Sequence, residues 1–256
     1  MRVRSAAILR REKVEITLDQ LVDLFLATKL TEGRSRKPTD WYAQKLSKFI
    51  EFTGEETTLP DFTLNNARAF VAHLQGKKRK FDDHPFRPVE DEGLSAFTIQ
   101  GYVRTLKSFS SWLAEDEFTT QNVLSRLKMP KAPTPVIEIL SDEEIANLLA
   151  AINPKCLLGA RMHTIVILLL DTGIRASELC GLTLEDTHIK EGYIKVFGKG
   201  QKERMVPFGN TVKKNLLRWV VTWRPALAEE DNCNLLVNND GLSLTYSALN
   251  QAIKRL

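Results

Sequence analysis

Three prolines fall within seven residues at Met129-Pro130-Lys131-Ala132-Pro133-Thr134-Pro135. A proline ring fixes φ and removes a backbone donor, so neither a helix nor a paired strand runs through such a segment. The segment is read as an extended linker, and it divides the chain. At 256 residues the chain is long for one small core, which agrees with that division. The expected organisation is a domain over 1–128, a linker at 129–136 and a second domain over 137–256.

Before the linker, apolar residues recur at helical spacing. Thr17-Leu18-Asp19-Gln20 matches a capping box, and Leu18, Leu21, Val22, Phe25 and Leu26 then share one face. A second amphipathic segment starts near Pro38-Thr39-Asp40 and carries Trp41, Tyr42, Leu46, Phe49, Ile50 and Phe52. A third runs from about Thr63 to Gln75, and a fourth follows Leu94-Ser95 with Ile99, Tyr102, Val103, Leu106, Phe109, Trp112 and Leu113 inward. Four helices with one apolar stripe each predict a small bundle. Lys77–Gly93, opening on Lys77-Lys78-Arg79-Lys80, is too charged to bury a core and is expected to be a mobile loop. Its four cations could be a localisation signal or a phosphate contact, with a solvated helix end as the plainer reading.

The second half mixes helices and strands. Ser141-Asp142-Glu143-Glu144 caps a helix through Leu148 and Leu149, and an apolar segment follows at 163–170. Residues 192–197 and 201–206 flank Gly198-Lys199-Gly200 as a predicted hairpin, with helices at about 210–221 and 245–255. This half is read as α+β and helix-dominated, with one small antiparallel sheet.

Several classes of function are disfavoured. No run of eighteen apolar residues exists, and the basic start MRVRSAAILRREKVE has too short an apolar part for a signal peptide, so no membrane partner and a cytoplasmic location are expected. Cys156, Cys180 and Cys233 lack CxxC spacing, and His73, His84, His163 and His188 form no ligand pattern, so no metal is expected. The Gly-Lys-Gly turn fails the phosphate-loop pattern, because Lys199 is followed by glycine; no nucleotide cofactor is indicated. A net charge of +4 decides little, but its distribution is uneven. From Lys195 to Arg218 seven cations face one acid, Glu203, whereas Glu229, Glu230, Asp231 and Asp240 crowd the stretch after Arg224. A basic zone beside an acidic one suits a phosphate-binding face, and a solvated surface would read the same way.

Arg175 is the leading candidate residue. A guanidinium offers an anion two parallel hydrogen bonds and stays charged throughout a reaction. Its apolar neighbours Leu168, Leu169, Leu170, Leu179 and Leu182 predict partial enclosure, and Glu178, three positions on, is placed to reach back and orient it. Lys199, 24 residues further, stands between glycines at the turn, free to swing toward a ligand and able to act as a general acid. Lys202 and Arg204 beside it are candidate DNA contacts.

The stretches "LSAFTIQGYVRTLKSFSSWL", "ILSDEEI", "LLDTGIRASELCGL" and "VFGKGQKERMVPFG", in this order, resemble the tyrosine recombinase (phage integrase) family. The resemblance implies a mainly α chain: a four-helix, SAM-like core-binding domain and a helix-rich α+β catalytic domain, closing as a clamp on double-stranded DNA. It further implies strand cleavage through a 3′-phosphotyrosine, a homo-tetramer on DNA, and no cofactor. Arg175 would be the first catalytic arginine and Lys199 the hairpin lysine. The family's His-x-x-Arg box and nucleophilic tyrosine would follow roughly a hundred residues beyond the first arginine, but the chain reaches Leu256, 81 residues past Arg175. His84-Pro85-Phe86-Arg87 precedes Arg175 and reads as coincidence; Tyr246 opens a predicted helix and is rejected as nucleophile; Tyr42, Tyr102 and Tyr193 read as packing residues. The expectation is therefore an inactive, DNA-binding fragment of a recombinase. A non-catalytic relic of such an enzyme, a type IB topoisomerase-like enzyme and a protein-interaction bundle are the other readings.

Overall fold

The computed structural model describes residues 16–80, 88–134, 136–198 and 202–256. The chain divides between Val136 and Ile137 into two compact units. The first holds α1 (Leu18–Thr31), α2 (Arg36–Thr53), α3 (Leu64–Gly76) and α4 (Ala96–Glu115). The second holds α5 (Asp142–Ala151), α6 (Leu157–Thr172), α7 (Ala176–Gly181), strands β1 (Thr187–His188), β2 (Tyr193–Phe197) and β3 (Glu203–Pro207), then α8 (Asn210–Arg218) and α9 (Tyr246–Ile253). The fold is mainly helical with one small antiparallel sheet, as the sequence predicts.

The bundle helices start at hydroxyl caps. Thr17, Thr63 and Ser95 accept from the backbone N–H groups of Gln20, Asn66 and Thr98, which satisfies donors the first turn leaves unpaired. The core between the helices is aromatic: Phe49 meets Phe62 and Phe70 edge-on at 5.7 and 5.2 Å, and Phe25 meets Phe109 at 5.5 Å. Helix α4 ends at Glu115. Glu117 takes φ 61°, and the chain then runs back along α4 to bury Phe118, Leu124 and Leu127. Buried Ser110 donates to Asn122 Oδ1 at 2.7 Å and accepts from the Leu124 N–H at 3.1 Å, so side chains supply the partners that a helix would have given this segment.

The charged stretch after α3 is not wholly loose. Lys80 and Glu90 form an antiparallel bridge, with backbone bonds of 2.9 and 3.1 Å, which ties its two described ends together. His84 and Arg87 lie outside the described residues.

In the second unit, Ser141 and Glu144 close the predicted capping box, with Ser141 N–H to Glu144 Oε2 at 2.8 Å. The sheet order is β1-β2-β3, with Thr187 opposite Ile194 and Val196 opposite Arg204; β1 was not anticipated from the sequence. Helix α8 continues into a π turn, Trp219–Trp223, that seats Trp219 fully buried with its indole N–H on Leu235 O at 2.8 Å. The segment following that turn, acidic in the sequence, packs Leu235, Leu236 and Val237 into the core. Arg224 is buried there and donates Nε to Asn234 O at 2.9 Å and Nη2 to Asn232 O, so it serves the fold. Among the described residues no helix is long and apolar enough to cross a membrane.

Candidate active site

The site starts where α6 ends. Gly173 caps the helix at φ 61°, a left-handed conformation that side chains with a Cβ adopt at a cost, and its N–H reaches Leu169 O at 2.9 Å. The reversal sends Ile174 into the core and turns Arg175 outward. Asp171 Oδ2 accepts the Gly209 N–H at 2.8 Å and so ties the end of α6 to the start of α8. The expected partial enclosure of Arg175 is not found: its side chain is 69% exposed, because Leu170 also faces out and the apolar neighbours Leu168, Leu179 and Leu182 pack behind the turn. Enclosure belongs instead to Glu178, whose side chain is 3% exposed.

Glu178 is the hub. Its Oε1 accepts from Arg175 Nη1 at 2.9 Å and Arg204 Nη1 at 2.7 Å; its Oε2 accepts from the Arg175 backbone N–H at 2.9 Å and Arg204 Nη2 at 2.8 Å. All four lone-pair directions of the carboxylate are thereby used. The Arg204 fork above all, opposed by burial and helped by the two Arg175 donors, holds the Glu178 carboxyl down at about 2. Two guanidiniums against one carboxylate leave the cluster with a net positive charge, displayed on the exposed Arg175.

Strand alternation explains how Arg204 gets there. Arg204 lies opposite buried Val196 in the register, so its side chain leaves the sheet on the inner face. It is a partner of Glu178, which the sequence reading as a DNA contact missed; the residue 26 positions earlier gives no local signal. Glu203 and Met205 alternate outward, and Glu203 pairs with Lys195 at 2.9 Å. Lys202 is exposed at the start of the strand, and its carbonyl accepts the Gly198 N–H at 2.8 Å. Lys199, Gly200 and Gln201 lie outside the described residues.

Two other cations of the basic zone have partners within the second unit. Lys213 donates to Lys190 O at 2.5 Å, and Arg218 lies 5.9 Å from the Trp223 ring centroid. Of the first unit's cluster, Arg79 pairs with Asp91 at 2.8 Å and Lys80 with Glu92, while Lys77 caps α3 and Lys78 follows it. These four are in a different unit from the Arg175 cluster. Tyr246, at the first position of α9, is 56% exposed.

The Phage integrase family profile matches residues 138–256. The tyrosine recombinase XerD of Staphylococcus saprophyticus is 33% identical over 240 residues, which cover 93% of this chain and 77% of that protein. The chain belongs to the tyrosine recombinase family. The XerD of Oceanobacillus iheyensis is 33% identical over 170 residues, 66% of this chain and 57% of that relative. Among solved structures, a lambda integrase dimer bound to a COC′ core site superposes with a TM-score of 0.70 at 16% identity, over 94% of this chain and 80% of that one. The Tn1549 transposon integrase in complex with a circular intermediate DNA gives 0.66 at 17% identity, over 92% and 76%. At these identities both likenesses concern the fold. A guanidinium presented at the surface and braced by a buried acid can offer hydrogen bonds and positive charge to an anion.

Proposed function

We propose that this chain engages double-stranded DNA as part of a site-specific recombinase, and that Arg175 binds a nonbridging oxygen of the scissile phosphate. The observation that carries the reading is the exposed Arg175 guanidinium held by Glu178, together with 33% identity to XerD. In the proposed reaction a tyrosine oxygen attacks phosphorus and the bond to the 5′ oxygen breaks. The 3′-phosphotyrosine keeps the bond energy, and Lys199 gives the leaving 5′ oxygen a proton. The free 5′-hydroxyl then attacks the partner strand's phosphotyrosine and the tyrosine is released. Lys202 and the first unit's Lys77, Lys78, Arg79 and Lys80 are proposed backbone contacts, with Arg204 serving the site through Glu178. Assembly as a homo-tetramer on paired sites in the cytoplasm is part of the proposal; a lambda integrase tetramer bound to a Holliday junction shares the fold, with a TM-score of 0.69.

The 256 residues by themselves are proposed to bind DNA without cutting it. No His-x-x-Arg follows Arg175 in them, and Tyr246 is the only tyrosine after the hairpin. Incubation with nicked duplexes should give no covalent adduct, and an adduct mapped to Tyr246 would overturn this.

In a form of the protein that carries the second box and the tyrosine, Arg175→Ala should cost on the order of 3 kcal/mol or more in cleavage, with a much smaller loss of DNA affinity. Lys199→Ala should slow cleavage of ordinary DNA but be rescued by a 5′-phosphorothiolate substrate, whose sulfur leaves without a proton. Arg175→Ala should not be rescued. Two variants that cleave normally, or that respond alike to the sulfur, would refute the assignment.

A further inference from the structure

The two arginines share Glu178 unequally. Arg204 grips both carboxylate oxygens through Nη1 and Nη2, at 2.7 and 2.8 Å. Arg175 gives a single side-chain bond, Nη1 to Oε1 at 2.9 Å. Its Nε and Nη2 make no hydrogen bond among the described residues, and its side chain is the more exposed of the two, 69% against 42%. A carboxylate that was shared only with Arg175 would take a different geometry. Planar guanidinium and carboxylate groups favour a fork of two parallel bonds, and such a fork would cover the donor edge that a phosphate needs.

The same pair also touches the hairpin. A Cβ built on Gly198 would lie 3.6 Å from Arg204 Nη1 and 3.8 Å from Glu178 Oε1, so the last described residue before the turn rests against the ion pair. Gly198 is bonded across the hairpin to Lys202 O at 2.8 Å. Arg204 thus joins three things at one point: β3, the start of the turn, and helix α7, which Arg175 caps.

We propose that Arg204 is a positioning residue that, by occupying both oxygens of Glu178, keeps this carboxylate from closing as a fork on Arg175 and so holds the Arg175 donor edge open for phosphate. The proposal rests on the reading of Arg175 as a phosphate ligand. A direct DNA contact by Arg204 would need no link to Glu178, and a merely structural ion pair would leave Arg175 no less reachable when it is broken. Only the positioning role predicts that Arg175 becomes less reachable when Arg204 is removed.

That measurement is the rate at which phenylglyoxal, an arginine reagent, modifies Arg175 in the 256-residue chain, read by peptide mass spectrometry with exposed Arg68 as internal reference. Arg204→Met should slow Arg175 modification by about tenfold, as the freed carboxylate folds onto it in a charge-assisted fork. Adding Glu178→Gln to Arg204→Met should return the rate to the original or above, because a neutral amide does not hold the guanidinium. An Arg175 rate that is unchanged or raised in Arg204→Met, or that stays low in the double variant, would overturn the proposal. If Arg204→Met does not fold, Arg204→Gln carries the same test, since a neutral amide cannot form a charge-assisted fork on both oxygens: a slower Arg175 supports the proposal, and an equal or faster one rejects it. Duplex DNA supplies the separate check on the underlying reading. If it fails to protect Arg175 in the unaltered chain while the variant rates follow the expected order, the phosphate assignment is wrong and the positioning role stands.

Discussion

At the scale of residues, Glu178 is where stability and function meet. Its carboxyl is held at about 2 in the folded chain against an ordinary 4.5. A depressed folded value adds stability that is complete above the unfolded value and is lost as pH falls from about 4.5 toward 2. The contribution is on the order of 2–3 kcal/mol, the lower end favoured because both arginine partners reach solvent and are screened. Glu178→Gln should therefore lower the urea midpoint of the second unit at pH 7 and flatten its change between pH 5 and pH 2.5, both read by tryptophan fluorescence, since Trp219 is buried in that unit. Equal acid sensitivity of the two proteins would show that other carboxylates carry the effect. The i,i+3 relation of Arg175 and Glu178 could be read along one helix. The Arg204 arm could not, because only the sheet brings that residue alongside.

At the scale of elements, the site depends on a reversal between α6 and α7. Gly173 at φ 61° places Ile174 in the core and Arg175 outside within two residues. Valine there would be strained by its branched Cβ. Gly173→Val is expected to cost roughly 1–3 kcal/mol in unfolding free energy. It should also raise the hydrogen exchange of the α7 amides above that of α6, and a variant with unaltered exchange and melting would contradict this. The hairpin was legible from its flanking strands and glycines. The direction of Arg204 follows from strand parity, since it alternates with outward Glu203 and Met205, but parity does not say which acid it meets on the inner face.

At the scale of the whole molecule, the two units have separate cores, one centred on Phe25, Phe49, Phe70 and Phe109, the other on Ile165, Leu179, Leu216 and Trp219. Residues 1–128 and 137–256 should each fold when expressed alone, and limited proteolysis of the intact chain should cut first within 77–93 or 129–136. First cuts inside 141–182 would refute that division. Binding to duplex DNA should weaken steeply as salt is raised, because the proposed contacts displace counterions from phosphate. An affinity unchanged between low and moderate salt would point to a protein partner for the helical unit instead.

The sequence by itself determined the features whose causes are local. Hydroxyl caps and apolar stripes set the helices, and the glycines around Lys199 marked the hairpin. Partner choice among distant groups was decided by the tertiary structure. Exposure of Arg175, burial of Glu178, and the turning of Arg204 onto that acid follow from how α7 and β3 are brought together across 26 residues of sequence. Whether a charged side chain meets water or a countercharge depends on which surface lies opposite it once the core has closed, and neighbours along the chain carry little of that information.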